Sequence, residues 1–152
     1  MSDVKQFQNE HRFLSNFAYV DVVFEGVTYR SVEAAYQAAK TLDPELRKPF
    51  MYAMSYQAKR MGKLLDVRPD WDDVKESIMC DLLRQKFYNN PYHKNGLLAT
   101  GDGYLEEGNV WGDRYWGVDL QTGEGENRLG KILMEIRSEL ETIKFNEQGY
   151  VK

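Results

Sequence analysis

Residues 26–40 have the sequence GVTYRSVEAAYQAAK, which predicts the second strand of a hairpin followed by a capped helix. Ser31 is a favourable N-cap, because its hydroxyl accepts a hydrogen bond from a backbone N–H of the first helical turn. In a helix over 31–42, Glu33, Gln37 and Lys40 share one face, which Tyr36 borders. The opposite face is rich in alanine and is expected to pack closely against its neighbours; it holds Ala34, Ala35, Ala38, Ala39 and Leu42.

The polar face of this helix has two interpretations, and the spacing alone leaves both open. One is a solvated stripe on the outside of an amphipathic helix. The other is a catalytic site, because a tightly packed helix presents its side chains with the restricted freedom that catalysis requires. In that case Glu33 is a candidate acid and Lys40 a candidate amine.

The rest of the chain predicts a helix-rich α+β domain with a small β-hairpin and short strands. Glu25-Gly26 has the spacing of a two-residue hairpin turn, and Asp43 is a candidate N-cap before Pro44. At 152 residues, the chain is expected to be one domain over residues 1–152. Periodicity and breakers predict further helices over 49–64, 71–89, 91–99 and 126–144, and short strands over 104–107 and 110–116.

Composition limits the classes of function. The net charge of −4 argues against a general nucleic-acid binder, because nonspecific affinity comes from neutralising phosphates. The single cysteine, Cys80, forms no internal disulfide, and the polar N-terminus and the absence of long apolar runs predict a cytoplasmic protein without a membrane segment. The two histidines lack the spacing of metal ligands, so we expect no metal and no cofactor. Aromatic residues make up 13% of the chain, which suits either a site that stacks planar rings or a core.

Several motifs occur in order along the chain. Phe13-Leu14-Ser15-Asn16-Phe17 precedes the 26–40 stretch, and together they resemble the NADAR superfamily of YbiA-like proteins. One departure from that pattern is Asp119, where a second glycine often follows the Trp-Gly pair. The resemblance covers about residues 7–140, and its later segments are AKRMG at 58–62, RPDW at 68–71, LLATG at 97–101, DRYWG at 113–117, GENRLG at 125–130 and LMEIR at 133–137.

The resemblance implies an N-glycosidase that cleaves the bond between ribose C1 and an exocyclic amine of a base. Its implied substrates are ribosylamino-pyrimidine phosphates of riboflavin synthesis, or ADP-ribose attached to guanine, free or in nucleic acid. The alternative, from a different class, is a non-catalytic module that binds ADP-ribose or a similar nucleotide. Two mechanisms stay open: Lys40 attacks C1 and forms a Schiff base, or a carboxylate activates water.

Candidate roles for single residues complete the sequence predictions. Glu33, Lys40 and Asp113 are the candidate catalytic residues. Trp116 is the candidate stacking surface for the base, because Gly117 beside it is expected to leave backbone room for a ligand. Asn127, which opens the last helix, has two equal interpretations, as a cap or as a ligand contact. The candidate substrate-binding residues are Asn16, Phe17, Tyr36, Gln37, Trp116, Gly117 and Asn127, with Lys59 and Arg60 as candidate phosphate contacts.

Overall fold

The computed structural model describes the backbone of residues 2–150 and divides the chain into two compact units. One unit comprises residues 16–89, and the other joins the residues up to 15 to those from 90 onward. Helices dominate both units and the strands are short, so the predicted α+β class is confirmed. The assignment of residues 1–152 to one domain stays a prediction.

The unit of residues 16–89 begins with the predicted hairpin. Strands β1 (Val22–Phe24) and β2 (Val27–Tyr29) pair antiparallel, with Val22 opposite Tyr29. Glu25 and Gly26 both have positive φ, 47° and 82°, as the commonest two-residue hairpin turns require. The helices that follow are α1 (Val32–Ala38), α2 (Pro44–Arg47), a 3-10 helix (Lys48–Met51), α3 (Ser55–Gly62) and α4 (Trp71–Asn89).

Two predictions for this unit need correction. The single helix expected over 49–64 is two helices, because the chain breaks at 52–54 and starts again at α3, where the Gln57 side chain accepts from the Met54 N–H at 3.0 Å. Leu42, expected on the buried face of α1, lies beyond the end of that helix and is 60% exposed. The 71–89 helix is confirmed at both ends, and Asp43 caps α2 by accepting from the Glu45 N–H at 2.9 Å.

The second unit has a 3-10 helix over Asn9–Leu14, α5 (Pro91–Ala99) and α6 (Arg128–Tyr150). Strands β3 (Gly108–Asn109) and β4 (Val118–Asp119) pair in parallel. The strands expected over 104–107 and 110–116 were therefore wrong. Leu105 makes only an isolated bridge to Val4, and residues 110–116 form a loop closed by its own side chains.

Helix α6 supplies much of the core of this unit. Its apolar residues Leu129, Ile132, Leu133, Ile136 and Leu140 are all buried, whereas Ile143, which continues the same periodicity, is 37% exposed. Burial of each such side chain contributes about 1.5–3 kcal/mol to folding. None of the helices within the described residues is both long enough and apolar enough to cross a lipid bilayer.

Candidate active site

The N-terminus of α1 is fixed by its cap. The Ser31 hydroxyl accepts from the Ala34 N–H at 3.0 Å, as the sequence predicted. The Ser55 hydroxyl of α3 lies 2.8 Å from the Ser31 hydroxyl and 2.9 Å from the Phe17 carbonyl oxygen. The first turn of α1 is therefore tied to the segment before the hairpin and to α3, which fixes the direction in which its side chains leave the helix.

The polar face of α1 is buried rather than solvated. Glu33 is 7% exposed and Gln37 is 5% exposed, and the Gln37 side-chain amide donates to Glu33 Oε1 at 3.0 Å. The backbone N–H of Glu33 donates to the Asn16 carbonyl oxygen at 3.1 Å. A carboxylate is rarely buried without a paired group, so the solvated-stripe interpretation is wrong and the face is a candidate site.

Lys40 lies two residues after the end of α1 and is half-buried. Its backbone carbonyl accepts from the Arg68 N–H at 2.7 Å, which fixes the main chain at this point. Its amine lies 5.8 Å from the centre of the Tyr36 ring, and that ring packs against Trp71 with 5.0 Å between centroids. Aromatic rings thus cover the approach to the amine along one side.

The surroundings of Lys40 favour its neutral form overall. Burial lowers the pKa of the Lys40 amine most strongly, and the positive charges of Lys59, Lys63 and Lys75 lower it further. Glu33 opposes them and raises the pKa of Lys40. Desolvation and like charges are the two ordinary ways to produce a neutral, nucleophilic lysine near neutral pH.

Sequence reasoning missed two of these lysines. Lys63 follows the last residue of α3, four residues after Lys59, and this spacing was a signal that sequence reasoning could have used. Lys75 is on α4, where its amine also contacts the Asp72 carboxylate at 3.2 Å. The sequence had no signal for Lys75, because only the packing of α4 against α1 brings it near Lys40.

Asn16 and Phe17 come shortly before the hairpin and lie close to α1 and α3. Asn16 is buried; its side-chain amide nitrogen lies 3.5 Å from the Met79 sulfur, and within the described residues its Oδ1 has no hydrogen-bond partner. The Phe17 ring lies 5.7 Å from the Lys59 amine. Their role in substrate binding stays a prediction.

Arg60 is separated from Lys59, its neighbour in the chain. It is exposed and packs over the Tyr56 ring at 5.4 Å. Consecutive helical residues point about 100° apart, so α3 directs Lys59 and Arg60 to different surfaces. Arg60 lines an open groove of about 430 Å³ together with Pro49, Tyr52, Ala53, Gln57, Met61 and Leu64.

Asp113 and Trp116, in the other unit, lie in a tightly hydrogen-bonded loop. Asp113 Oδ1 accepts from the N–H groups of Tyr115 and Trp116, each at 3.0 Å. The carbonyls of Arg114, Tyr115 and Trp116 accept from the N–H groups of residues 126, 128 and 129. This geometry gives the Asp113 carboxylate a structural task, and its catalytic role stays a prediction. The same bonds occupy N–H groups at the start of α6 that would otherwise attract an anion.

The reason given for Gly117 needs correction. A Cβ at this position would meet the carboxylate and the carbonyl of Glu107, and it would lie 2.7 Å from the Asn109 amide nitrogen. Glycine is therefore required by the protein's own packing, which fills the room that we expected for a ligand. Trp116 is half-buried, with its ring 4.8 Å from the Tyr115 ring in an edge-to-face contact.

The side chain of Asn127 bonds to the protein backbone at both ends of its amide. It is 2% exposed; its Oδ1 accepts from the Glu107 N–H at 3.0 Å, and its amide nitrogen donates to the Leu105 carbonyl at 2.9 Å. Of its two interpretations, this geometry favours the structural one. Among the described residues, no group of three or more His, Cys, Asp or Glu side chains lies together as metal ligands would.

Comparison with known proteins identifies relatives along most of the chain. The model of the NADAR domain matches residues 4–141. The N-glycosidase YbiA of Escherichia coli is 39% identical over 129 residues, which are 83% of this chain and 79% of that protein. A riboflavin biosynthesis protein of Vibrio vulnificus is 37% identical over 134 residues, which are 86% of this chain but only 36% of that longer protein.

A solved structure agrees with these matches. The NMR structure of Escherichia coli YbiA superposes with a TM-score of 0.82 at 34% identity, covering 95% of this chain and 89% of that one. The relatives confirm the expected class of enzyme, a hydrolase that acts on N-glycosyl bonds.

Proposed function

The chain belongs to the NADAR family, and from that premise we propose that it hydrolyses the bond between ribose C1 and an exocyclic amine of a base. The substrate is a ribosylamino-pyrimidine phosphate or an ADP-ribosylated guanine, as a small molecule or within nucleic acid, and the reaction takes place in the cytoplasm. The observation that carries the proposal is Lys40, a half-buried lysine just after the end of α1. Its amine interacts electrostatically with the buried carboxylate of Glu33 on that helix, and burial and three further lysines lower its pKa.

In the proposed reaction Lys40 is the nucleophile. The nitrogen lone pair of the substrate opens the ribose ring, which leaves a C1=N iminium on the base nitrogen. The former ring oxygen takes up a proton from solvent and becomes a hydroxyl, and one proton is returned when water adds in the last step. The neutral Lys40 amine adds to C1, and the C1–N bond to the base breaks. The base leaves as a free amine that carries the proton lost by Lys40, and a C1=N bond to Lys40 remains. Water adds to C1, and collapse of this adduct releases the sugar and restores the amine.

Glu33 moves the protons in this scheme. Its carboxylate accepts a proton from the attacking amine, gives it to the departing base nitrogen, and then takes one from the incoming water. Its burial supports that role, since a proton held in a site shielded from water is passed to the substrate rather than lost to solvent. In the rival scheme Glu33 activates water directly, and Lys40 only holds ribose hydroxyls or a phosphate.

Lys59 on α3 and Lys63 just after it suit the phosphate of either substrate. Lys59 and Lys63 are one helical turn apart, and both act on the charge of Lys40. We assign the phosphate contact to this pair rather than to Lys59 and Arg60, because Arg60 leaves α3 toward the open groove. A bound phosphate also offsets the positive charge that accumulates when these lysines surround the amine.

The test is incubation of the purified protein with each substrate class, followed by mass spectrometry for the free base and the free ribose phosphate or ADP-ribose. Product from either substrate supports the proposal, and the ratio of the two rates identifies the preferred one. Lys48→Ala serves as a matched control for Lys40→Ala, because Lys48 is an exposed lysine paired with Glu45 at 3.0 Å. Tight binding of ADP-ribose without release of a base would instead support the non-catalytic alternative.

A further inference from the structure

We propose that Gln37 and Gly62 act as a positioning pair that fixes the carboxylate of Glu33. Gln37 holds the carboxylate through its side-chain amide, and Gly62 of α3 keeps Gln37 in place by having no side chain. This inference rests on the proposed function for its catalytic consequence, but the contact itself is testable without turnover.

The geometry of the pair is specific. Gln37 donates to Glu33 Oε1 at 3.0 Å. A Cβ added to Gly62 would collide with Gln37 Oε1 and would lie 2.7 Å from Gln37 Cδ. The side-chain amide of Gln37 is thus held between the carboxylate on one side and the backbone of α3 on the other. A side chain at position 62 would therefore require that amide to shift, and we expect the bond to Glu33 to weaken with it.

The unpaired side-chain oxygen of Gln37 indicates that the placement of this amide lowers stability rather than raising it. Within the described residues, Gln37 Oε1 has no hydrogen-bond partner although the side chain is almost fully buried. A buried amide oxygen without a partner costs free energy that an apolar residue at this position would avoid. Such a cost is typical of functional sites, where geometry is maintained against stability.

The pair also explains how Glu33 and Lys40 remain chemically distinct. Glu33 raises the pKa of Lys40, so a carboxylate free to turn onto the amine would keep that amine protonated. Gln37 is neutral and only donates through its N–H, so it orients the carboxylate without taking its proton. Lys59, Lys63 and Lys75 are the other charges that act on Lys40, and all three lower its pKa.

A double-mutant cycle tests the pair. Gly62→Ala, Gln37→Ala and the double variant are compared by kcat and KM, and by titration of the Glu33 side-chain carbon in protein labelled with carbon-13 at glutamate carboxyls. We expect each single variant to lower kcat by about 10- to 100-fold with little change in KM, as small misplacements of catalytic groups do. The double variant should be no worse than either single one, because both act through the same contact.

Gln37→Met separates packing from hydrogen bonding, since methionine fills similar volume but has no N–H donor. It should raise the titration midpoint of Glu33 as much as Gln37→Ala does, because a donor to a carboxylate favours the charged form. Gly96→Ala is the matched control: it also places a methyl group against a side chain, with Phe13 Cε2 at 2.7 Å, in the other unit. It should leave the Glu33 titration unchanged.

The proposal is overturned if the losses of kcat in Gly62→Ala and Gln37→Ala multiply in the double variant, because the two residues then act independently. It is also overturned if the Glu33 titration is unaltered in Gln37→Met. If Gly62→Ala is too unstable to titrate only because its methyl group clashes with Gln37, the double variant should fold again. Its Glu33 should then titrate as it does in Gln37→Ala, and that result supports the contact. A wild-type protein without turnover refutes the proposed function alone, because the titration cycle still tests the pair.

Discussion

Two regions of the chain were predicted to carry the chemistry, and their polar groups differ in how completely the protein supplies hydrogen-bond partners. On α1, Glu33 and Gln37 are buried, and Gln37 Oε1 has no partner among the described residues. In the 113–117 loop, the Asp113 carboxylate accepts from two N–H groups and the backbone carbonyls cap the start of α6. Buried polar groups left incompletely satisfied indicate a site, whereas fully used ones indicate framework.

The largest expected effect lies on α1. Lys40→Ala and Glu33→Gln should each lower turnover by at least about 100-fold, the low end for general acid–base catalysis. The fold should persist, because neither change opens a large cavity in the core. Turnover and melting temperature measured on the same samples decide it. Near-normal turnover in both variants would show that α1 does not carry the catalytic site, and α1 would then be framework like the 113–117 loop.

Trp116 tests whether the 113–117 loop also binds substrate. If it stacks a base, Trp116→Ala should weaken substrate binding by about 5- to 150-fold, since base–aromatic stacking is worth about 1–3 kcal/mol. If it only packs against Tyr115 and the loop, its removal costs stability, about 3–5 kcal/mol for a tryptophan in a core. Affinity by calorimetry and unfolding by denaturant, both on this variant, distinguish the two. Unchanged affinity with a large loss of stability assigns it to the framework.

The pH dependence of the rate tests whether the neutral Lys40 amine is the reactive form. Activity that requires the neutral amine rises with pH through the pKa of Lys40. Lys63→Gln removes a positive charge that lowers this pKa, so the rising limb of kcat/KM should move to higher pH.

Lys48→Gln, with the same loss of charge at an exposed position, should leave that limb in place. If the rising limb moves equally in both variants, the shift comes from the change in net charge and not from the position of Lys63. A limb that stays in place in Lys63→Gln would mean that the amine does not set the pH dependence.

The smallest expected effect is at Asp113. Asp113→Ala removes the acceptor for two N–H groups, a loss comparable to that of a helix cap, about 0.5–2 kcal/mol of stability. Turnover of the folded variant should change only a few-fold. A drop in turnover as large as that of Glu33→Gln, with the melting temperature unchanged, would return Asp113 to the catalytic residues.

Local signals predicted much of the fold. The Ser31 cap, the Glu25-Gly26 turn and the 71–89 helix depend on residues close in sequence, and all three are confirmed. The strands expected over 104–107 and 110–116 failed, because side chains such as Asp113 and Asn109 satisfy the backbone there in place of a neighbouring strand.

The candidate site was only half predictable. The spacing placed Glu33, Gln37 and Lys40 on one face, but whether water covers that face depends on which helices pack over it. Lys63 and Lys75 act on Lys40 only because α3 and α4 pack against α1. The contact between Gly62 and Gln37 likewise joins two helices, and the sequence of either helix alone gives no sign of it.

The most direct test of Lys40 as the nucleophile is to trap the intermediate on its amine. Borohydride added while the protein is turning over substrate reduces a C1=N bond to a stable amine. We predict that peptide mapping finds the sugar on Lys40, and that Lys59 and Lys63 are unmodified. Lys40→Ala should give no adduct under the same conditions. A sample that is forming product at that moment but yields no adduct on Lys40 would contradict the claim and favour water activated by Glu33.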